Sequence, residues 1–274
     1  MAEAGDQAPW ALWAGQHALP IFFMLLGILL AASCAGWWAL QRYSARRRPA
    51  LSPARLMGLR MAVGVAIILT GAGVFTQLAG QLAAGGEPGL ADQAFTDAVR
   101  ASMPRAALRA FSALTHLGDA ATLTGLCVAV AIALVVRSRH RLALGWVVAV
   151  AGNAVLNRTL KQIFGRARPL DPDGLVFEQG FSFPSGHSSG AVAAYGMLAY
   201  LALRLLPPRW HLPALVASVA LAFTVGASRV FLGVHFASDV MAGFAAGAAW
   251  LATCVTSIEL MRWCRQRTAR DSVR

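Results

Sequence analysis

The chain has 274 residues, 57% of them hydrophobic and only 13% charged, with a mean hydropathy of +0.58. That composition excludes an ordinary soluble domain and predicts an all-α, polytopic integral membrane protein. A formal net charge of +12 would suggest nucleic acid for a soluble protein, but here the arginines gather at the ends of apolar segments, so they read as topology signals and no nucleic-acid partner is expected.

Windows long enough to span a bilayer, roughly 17 to 25 residues, fall at residues 20–40, 61–82, 120–136, 142–160, 188–206, 212–227 and 236–260, the sixth being the shortest. Residues 1–18 carry Glu3 and Asp6 but no Lys or Arg. A cleaved signal would need a basic segment there, so the first window reads as a retained helix with an exported tail. The loop RYSARRRPALSPAR, residues 42–55, separates that window from the rest and predicts an added helix hinged to a six-helix core. The organisation expected is an N-terminal helix with its basic loop over residues 1–56, a membrane domain over 57–262 and a basic tail over 263–274.

Between the second and third windows, Val99, Met103, Leu108, Phe111, Leu114 and Leu117 recur at roughly helical intervals, with Arg100, Arg105 and Arg109 between them. This predicts a helix over residues 99–117, lying in the outer interface or packed on its own protein. Sixteen of the 24 basic residues fall in the connections on one side of a seven-span topology. The excess of positive charge places that side in the cytoplasm. Cys34, Cys127, Cys254 and Cys264 show no paired spacing, so neither a disulfide framework nor a zinc site is supported.

Ionisable side chains at the ends of membrane spans are costly and need a reason. Three segments stand out, all on the predicted outer face. The first is LKQIFGRARP, residues 160–169. Lys161, the only lysine in the chain, and Arg168 would share a face if the helix continued past the span. Snorkelling to lipid head groups is the alternative for this pair. The second is PSGH, residues 184–187, at a helix start, where unpaired N–H groups and the macrodipole favour an anion. Ser185 suits the cap and Gly186 allows close approach to the backbone, although a merely capped helix would look the same. The third is SRVFLGVHFASD, residues 228–239. His235 and Asp239 are four apart, so on a helix the carboxylate can fix the imidazole tautomer. Arg229 can offer two N–H groups to an oxyanion. A purely structural His–Asp pair is the alternative here.

Three cations, a helix N-terminus, two histidines and a carboxylate match phosphoryl transfer, in which negative charge spreads over the equatorial oxygens. The segments K-x6-RP, PSGH and SR-x5-H-x3-D resemble the three-part signature of the type-2 phosphatidic acid phosphatase superfamily, over about residues 61–260. That resemblance implies a six-helix phosphatase core, with His235 as nucleophile, Asp239 orienting it and His187 as general acid. Lys161, Arg168, Ser185, Gly186 and Arg229 would hold the phosphoryl oxygens. It further implies no metal and no other cofactor.

The expected substrate is a lipid phosphate or diphosphate whose tail stays in the bilayer, phosphatidate-like or undecaprenyl diphosphate-like. The expected site is the outer face of a bacterial cytoplasmic membrane. Homo-oligomerisation is left open. A lipid phosphotransferase using the same phosphohistidine, or a non-catalytic anion- or lipid-binding protein, are the competing readings; transport is disfavoured because no repeat or midplane polar site is visible. Outside the signature, His116 and Asp119 are read as a helix entrance with Asp119 as cap, contact with substrate on the active side being the alternative, and Asn153, Asn157 and Arg158 as interhelical hydrogen-bonding groups. His17, His140 and His211 are read as boundary residues.

Overall fold

A computed structural model of the chain describes residues 9–47, 52–83, 88–169 and 178–271. Its helices are α1 (Pro9–Gln16), α2 (Ala18–Arg47), α3 (Pro53–Ala83), α4 (Pro88–Ser102), α5 (Arg105–Thr115), α6 (Ala120–Val136), α7 (His140–Phe164), α8 (Gly186–Leu205), α9 (His211–Phe231) and α10 (Ala237–Asp271). Among the described residues there is no strand. Backbone polar groups in a bilayer must be satisfied internally, and helices do this within each segment.

The seven long helices coincide with the seven apolar windows. By length and composition, Ala18–Arg42, Pro53–Leu82, Pro208–Phe231 and Ala237–Thr268 can each cross a membrane. Residues 105–118 and α6 do so together as a pair bent by 44°. The remaining two, α7 and α8, are the polar members, and packing explains why. Helix α8 is central, touching α6, α7, α9 and α10, and Ser188, Ser189, Gly190 and Tyr195 are buried in protein rather than lipid. Asn153 and Asn157 of α7 donate to Ser189 Oγ of α8 at 3.3 and 3.2 Å, which bears out the interhelical role read for them. Arg158, in contrast, is exposed.

Below the polar layer the core is apolar. Trp146 is fully buried among Cys127, Met197 and Ile258, and its indole N–H donates to Cys127 O at 2.8 Å. Helix α2 leans on α9, with Phe22 set between Phe111, Phe223 and Phe231 at ring separations of 5.2 to 5.7 Å. The added N-terminal helix is thus pinned to the bundle by aromatic packing, while most of its surface is left for lipid.

One expectation needs correcting. The helix expected over residues 99–117 is broken into α4 and α5, because Pro104 has no N–H to continue the ladder. Both pieces pack on the protein: α5 sits on α9 and buries Phe111, and α4 buries Ala94, Ala98 and Val99. The tail before the first window is helical from Pro9, as α1, and packs on α4; Ser102 Oγ donates to Gly15 O at 3.1 Å. At the other terminus α10 carries the basic tail in helix to Asp271. Glu3, Asp6, Arg48 and Arg274 lie outside the described residues.

Candidate active site

All three polar segments meet at one end of the bundle. Helix α7 delivers Lys161 in its last turn and then stops, because Gly165 takes the left-handed conformation at φ 58°. The helix therefore does not carry Arg168 on a common face with Lys161, as the seven-residue spacing suggested. Both cations reach the site another way, by gripping the segment that enters α8. Lys161 Nζ donates to Phe181 O. Arg168 donates from Nε to Gly180 O at 3.0 Å and from Nη1 to Val234 O at 2.9 Å.

Ser185 caps α8 as expected. Its hydroxyl accepts from Ser188 N at 3.4 Å and from Ser188 Oγ at 2.9 Å. Gly186 follows, and a Cβ there would come within 3.0 Å of Asn157 Oδ1. A larger residue there would push the Asn157 side chain back from the first turn of α8. Ser185 N donates to Asp239 O at 2.9 Å, which ties the start of α8 to the start of α10.

His235 precedes α10 rather than lying on it. Gly233, at φ 69°, turns the chain after α9, and Val234 N and His235 N both donate back to Arg229 O at 3.2 Å. Asp239, in the first turn of α10, accepts from Phe236 N at 2.9 Å through Oδ2, one half of a capping box. The same oxygen accepts from Ser182 Oγ at 2.5 Å and lies 3.4 Å from His235 Nδ1. Ser182 Oγ is itself 3.2 Å from that Nδ1.

This arrangement determines the His235 tautomer. Arg168 Nη1 lies 3.2 Å from His235 Nε2, and a guanidinium can only donate, so Nε2 is the acceptor. The ring proton then belongs on Nδ1, directed at Ser182 and Asp239. Burial, against the opposing pull of Asp239, drives the His235 pKa down to about 3. At neutral pH the ring is uncharged, with the Nε2 lone pair among cations.

Arg229 is fully buried. It donates from Nη1 to Thr115 Oγ1 at 2.8 Å and from Nη2 to Glu178 Oε1 at 2.5 Å. Its Nε is buried with no partner among the described residues, so one strong donor is unused.

Several residues in this site were not found from the sequence. Glu178 stands between Arg229 and Arg168, 3.7 Å from the latter, where its carboxylate occupies two of the three cations. Burial would raise the Glu178 carboxyl, but Arg229, His187 and Arg168 outweigh burial and hold it below its usual value. Arg166, an unassigned position of K-x6-RP, donates to Asp239 Oδ1 at 2.6 Å and to Asp92 Oδ2 at 3.0 Å. It lies over the Phe236 ring at 4.1 Å.

The reading of Asp119 as a cap also changes. It occupies the N-cap position of α6 but makes no capping bond. Instead Oδ1 is 2.8 Å from His187 Nε2 and Oδ2 is 2.7 Å from His116 Nδ1. An ionised carboxylate only accepts, so His187 donates Nε2–H. His187 lies in the first turn of α8, ahead of the apolar window. Burial and then Arg229 push its pKa down to about 4, while Asp119 and Glu178 oppose them. Among the described residues no three His, Cys, Asp or Glu side chains are grouped to hold a metal ion.

Comparisons with known proteins show which proteins the chain resembles. A family profile described as the PAP2 superfamily matches residues 142–263. Phosphatidylglycerophosphatase B of Bacillus subtilis is 38% identical over 136 residues, covering 49% of this chain and 66% of that protein. Lipid A 1-phosphatase of Rhizobium johnstonii is 39% identical over 108 residues, 36% of this chain and 41% of that protein. The chain thus spans two thirds or less of the length of these curated relatives. The crystal structure of a transmembrane PAP2-type phosphatidylglycerolphosphate phosphatase from Bacillus subtilis superposes with a TM-score of 0.62 at 30% identity, covering 68% of this chain and 94% of that one.

The tautomer and the depressed pKa are open to direct measurement. In a ¹⁵N-histidine NMR titration, the His235 resonances should show an Nδ1–H tautomer, unchanged from pH 7 to pH 5, because a ring with a pKa of about 3 stays neutral above it. Protonation near the ordinary value of about 6.5 would contradict the site described here.

Proposed function

This chain belongs to the PAP2 superfamily, and on that premise we propose that it is a membrane lipid phosphatase that works through a phosphohistidine. The observation that carries this reading is the His235 ring, neutral and with Nε2 held against Arg168. A phosphorus atom bound there meets a nucleophile that needs no deprotonation. The Nδ1–H, held by Ser182 and Asp239, stabilises the positive charge the ring gains as it attacks.

In the first step the negative charge of the bound phosphate favours the His187 imidazolium that burial and Arg229 oppose in its absence. The His235 Nε2–P bond forms while the P–O bond to the lipid breaks, and protonated His187 gives a proton to the departing oxygen. Lys161, Arg168 and the unpaired Arg229 Nε, with the N–H groups at the start of α8, hold the equatorial oxygens. Glu178 must yield its place on Arg229 and Arg168 to the phosphoryl group, whose charge is larger. In the second step His187, now neutral, takes a proton from water as the water oxygen bonds to phosphorus and the N–P bond breaks. Lys161, Arg168 and Arg229 supply the positive charge that a divalent ion brings to other phosphoryl-transfer sites.

The substrate is a long-chain lipid phosphomonoester or diphosphate. Phosphatidylglycerophosphate and a lipid A phosphate are the first to test, because the similar proteins carry those names. The site lies at the end of the bundle away from the arginine-rich connections, which supports a position on the outer face of a bacterial cytoplasmic membrane.

A phosphate-release assay over a panel of lipid phosphates and diphosphates, run in EDTA, tests the proposal. Wild type should release free phosphate from at least one of them, and His235→Ala should lower the rate roughly 10³-fold or more. Equal release by the variant, or label found only in a second lipid, sinks hydrolysis at His235.

Asp119 should act through His187. Its carboxylate favours the protonated ring, so in Asp119→Asn the ring loses its proton at lower pH. The basic limb of the kcat profile should move down by about one unit, with little loss of rate below it. A uniform loss of activity with an unmoved limb would reduce Asp119 to a structural role.

A further inference from the structure

A cavity of about 790 Å³ opens at the end of the bundle opposite the phosphoryl site, between α7, the end of α8 and α10. Its floor is apolar, formed by Leu144, Gly145 and Val148 of α7 with Trp250 and Ile258 of α10. Its rim is basic, with Arg139, Arg141, Arg204 and Arg265. Gly145 and Lys161 are sixteen positions apart on α7, about 24 Å of helix, so the two sites are separate.

Most of the charge at this rim is uncompensated. Among the described residues Glu259 is the only carboxylate paired at this rim, and it is already shared: Arg262 meets it at 2.8 Å, Arg60 at 3.2 Å and Arg204 at 3.8 Å. Tyr200 OH donates to it as well, at 2.7 Å. Arg139, Arg141 and Arg265 have no carboxylate partner among the described residues. The first turn of α7 opens on the same rim, and Arg139, at its N-cap, provides no side-chain cap. Unpaired N–H groups and the positive end of the helix dipole add to the arginines there.

Topology alone would require arginines at this end, but not a trough beside them. An apolar floor meeting a cationic rim at membrane depth is the complement of one chemical class. We propose that this cavity binds an anionic diacyl phospholipid, with an acyl chain along the α7–α10 trough and the phosphodiester at the start of α7 among Arg139, Arg141 and Arg265. A second copy of the chain is a poor occupant, because a symmetric contact would set one arginine cluster against the other. The lipid is a bound companion of the fold and not the substrate.

The test uses the full chain in neutral detergent, read by native mass spectrometry and thermal unfolding, with dioleoyl phosphatidylglycerol and dioleoyl phosphatidylcholine as probes. Wild type should retain phosphatidylglycerol in preference and unfold at higher temperature with it. The triple variant Arg139→Gln, Arg141→Gln, Arg265→Gln should bind it about 100-fold more weakly, each guanidinium contributing about fivefold. It should still release phosphate in detergent and unfold as wild type does without lipid. Arg265→Gln alone, an exposed change on α10, should cost about fivefold and covers the case in which the triple variant misfolds. Equal retention of phosphatidylcholine, undiminished selectivity in either variant, or a lipid-independent dimer lost in the triple variant would overturn the assignment.

Discussion

The Asp239 carboxylate is the joint on which this end of the protein depends. It is wholly buried, and a buried charge persists only when it is paired and hydrogen-bonded. Arg166 takes one oxygen; Ser182, Phe236 N and His235 share the other. The backbone oxygen of the same residue accepts from Ser185 N. One side chain and one carbonyl thus fix the α10 start, the α8 start, the Arg166 loop and the His235 ring together. Arg166 hands the constraint on to Asp92 of α4, whose carboxylate also accepts from Ser238 Oγ. The short helices outside the long ones are therefore part of the frame that holds the ring still.

Electrostatics divide the molecule into two ends with opposite solutions. At the phosphoryl end, Arg229, Arg168 and Lys161 converge in protein, and Glu178 and the backbone carbonyls of residues 179–181 occupy them. In the proposed mechanism the phosphoryl group takes the places that this carboxylate and these carbonyls hold. Among the described residues at the far end, the arginines outnumber their one carboxylate, Glu259. The bundle between is apolar where it meets lipid and carries Ser, Asn and Gly where helix meets helix.

What the sequence revealed followed from locality. Apolar windows gave the seven long helices, and residue type with spacing gave Lys161, Arg168, Ser185, Gly186, His187, Arg229, His235 and Asp239, since the signature stays together along the chain. The resemblance of those segments to the superfamily agrees with the family match. Long-range partners were not legible. Asp119 was read as a cap because nothing local shows that α8 will bring His187 to 2.8 Å from it. Glu178, Arg166, Asp92 and Ser182 are ordinary polar residues until the loops fold back on α9 and α10. Spacing also misled where a helix was assumed: Gly165 ends α7 before Arg168, His235 sits ahead of α10, and Pro104 divides the amphipathic stretch.

The central claim is that His235 Nε2, fixed by Asp239 and Ser182, takes the phosphoryl group before water does. Its most direct test is the stereochemical course at phosphorus, read from hydrolysis in ¹⁷O-water of a lipid thiophosphate made chiral with ¹⁸O. Two successive in-line displacements, first by His235 and then by water, return the original configuration, so the account predicts overall retention. Inversion would show that water attacks the lipid phosphate directly, and the role given to His235 would fall.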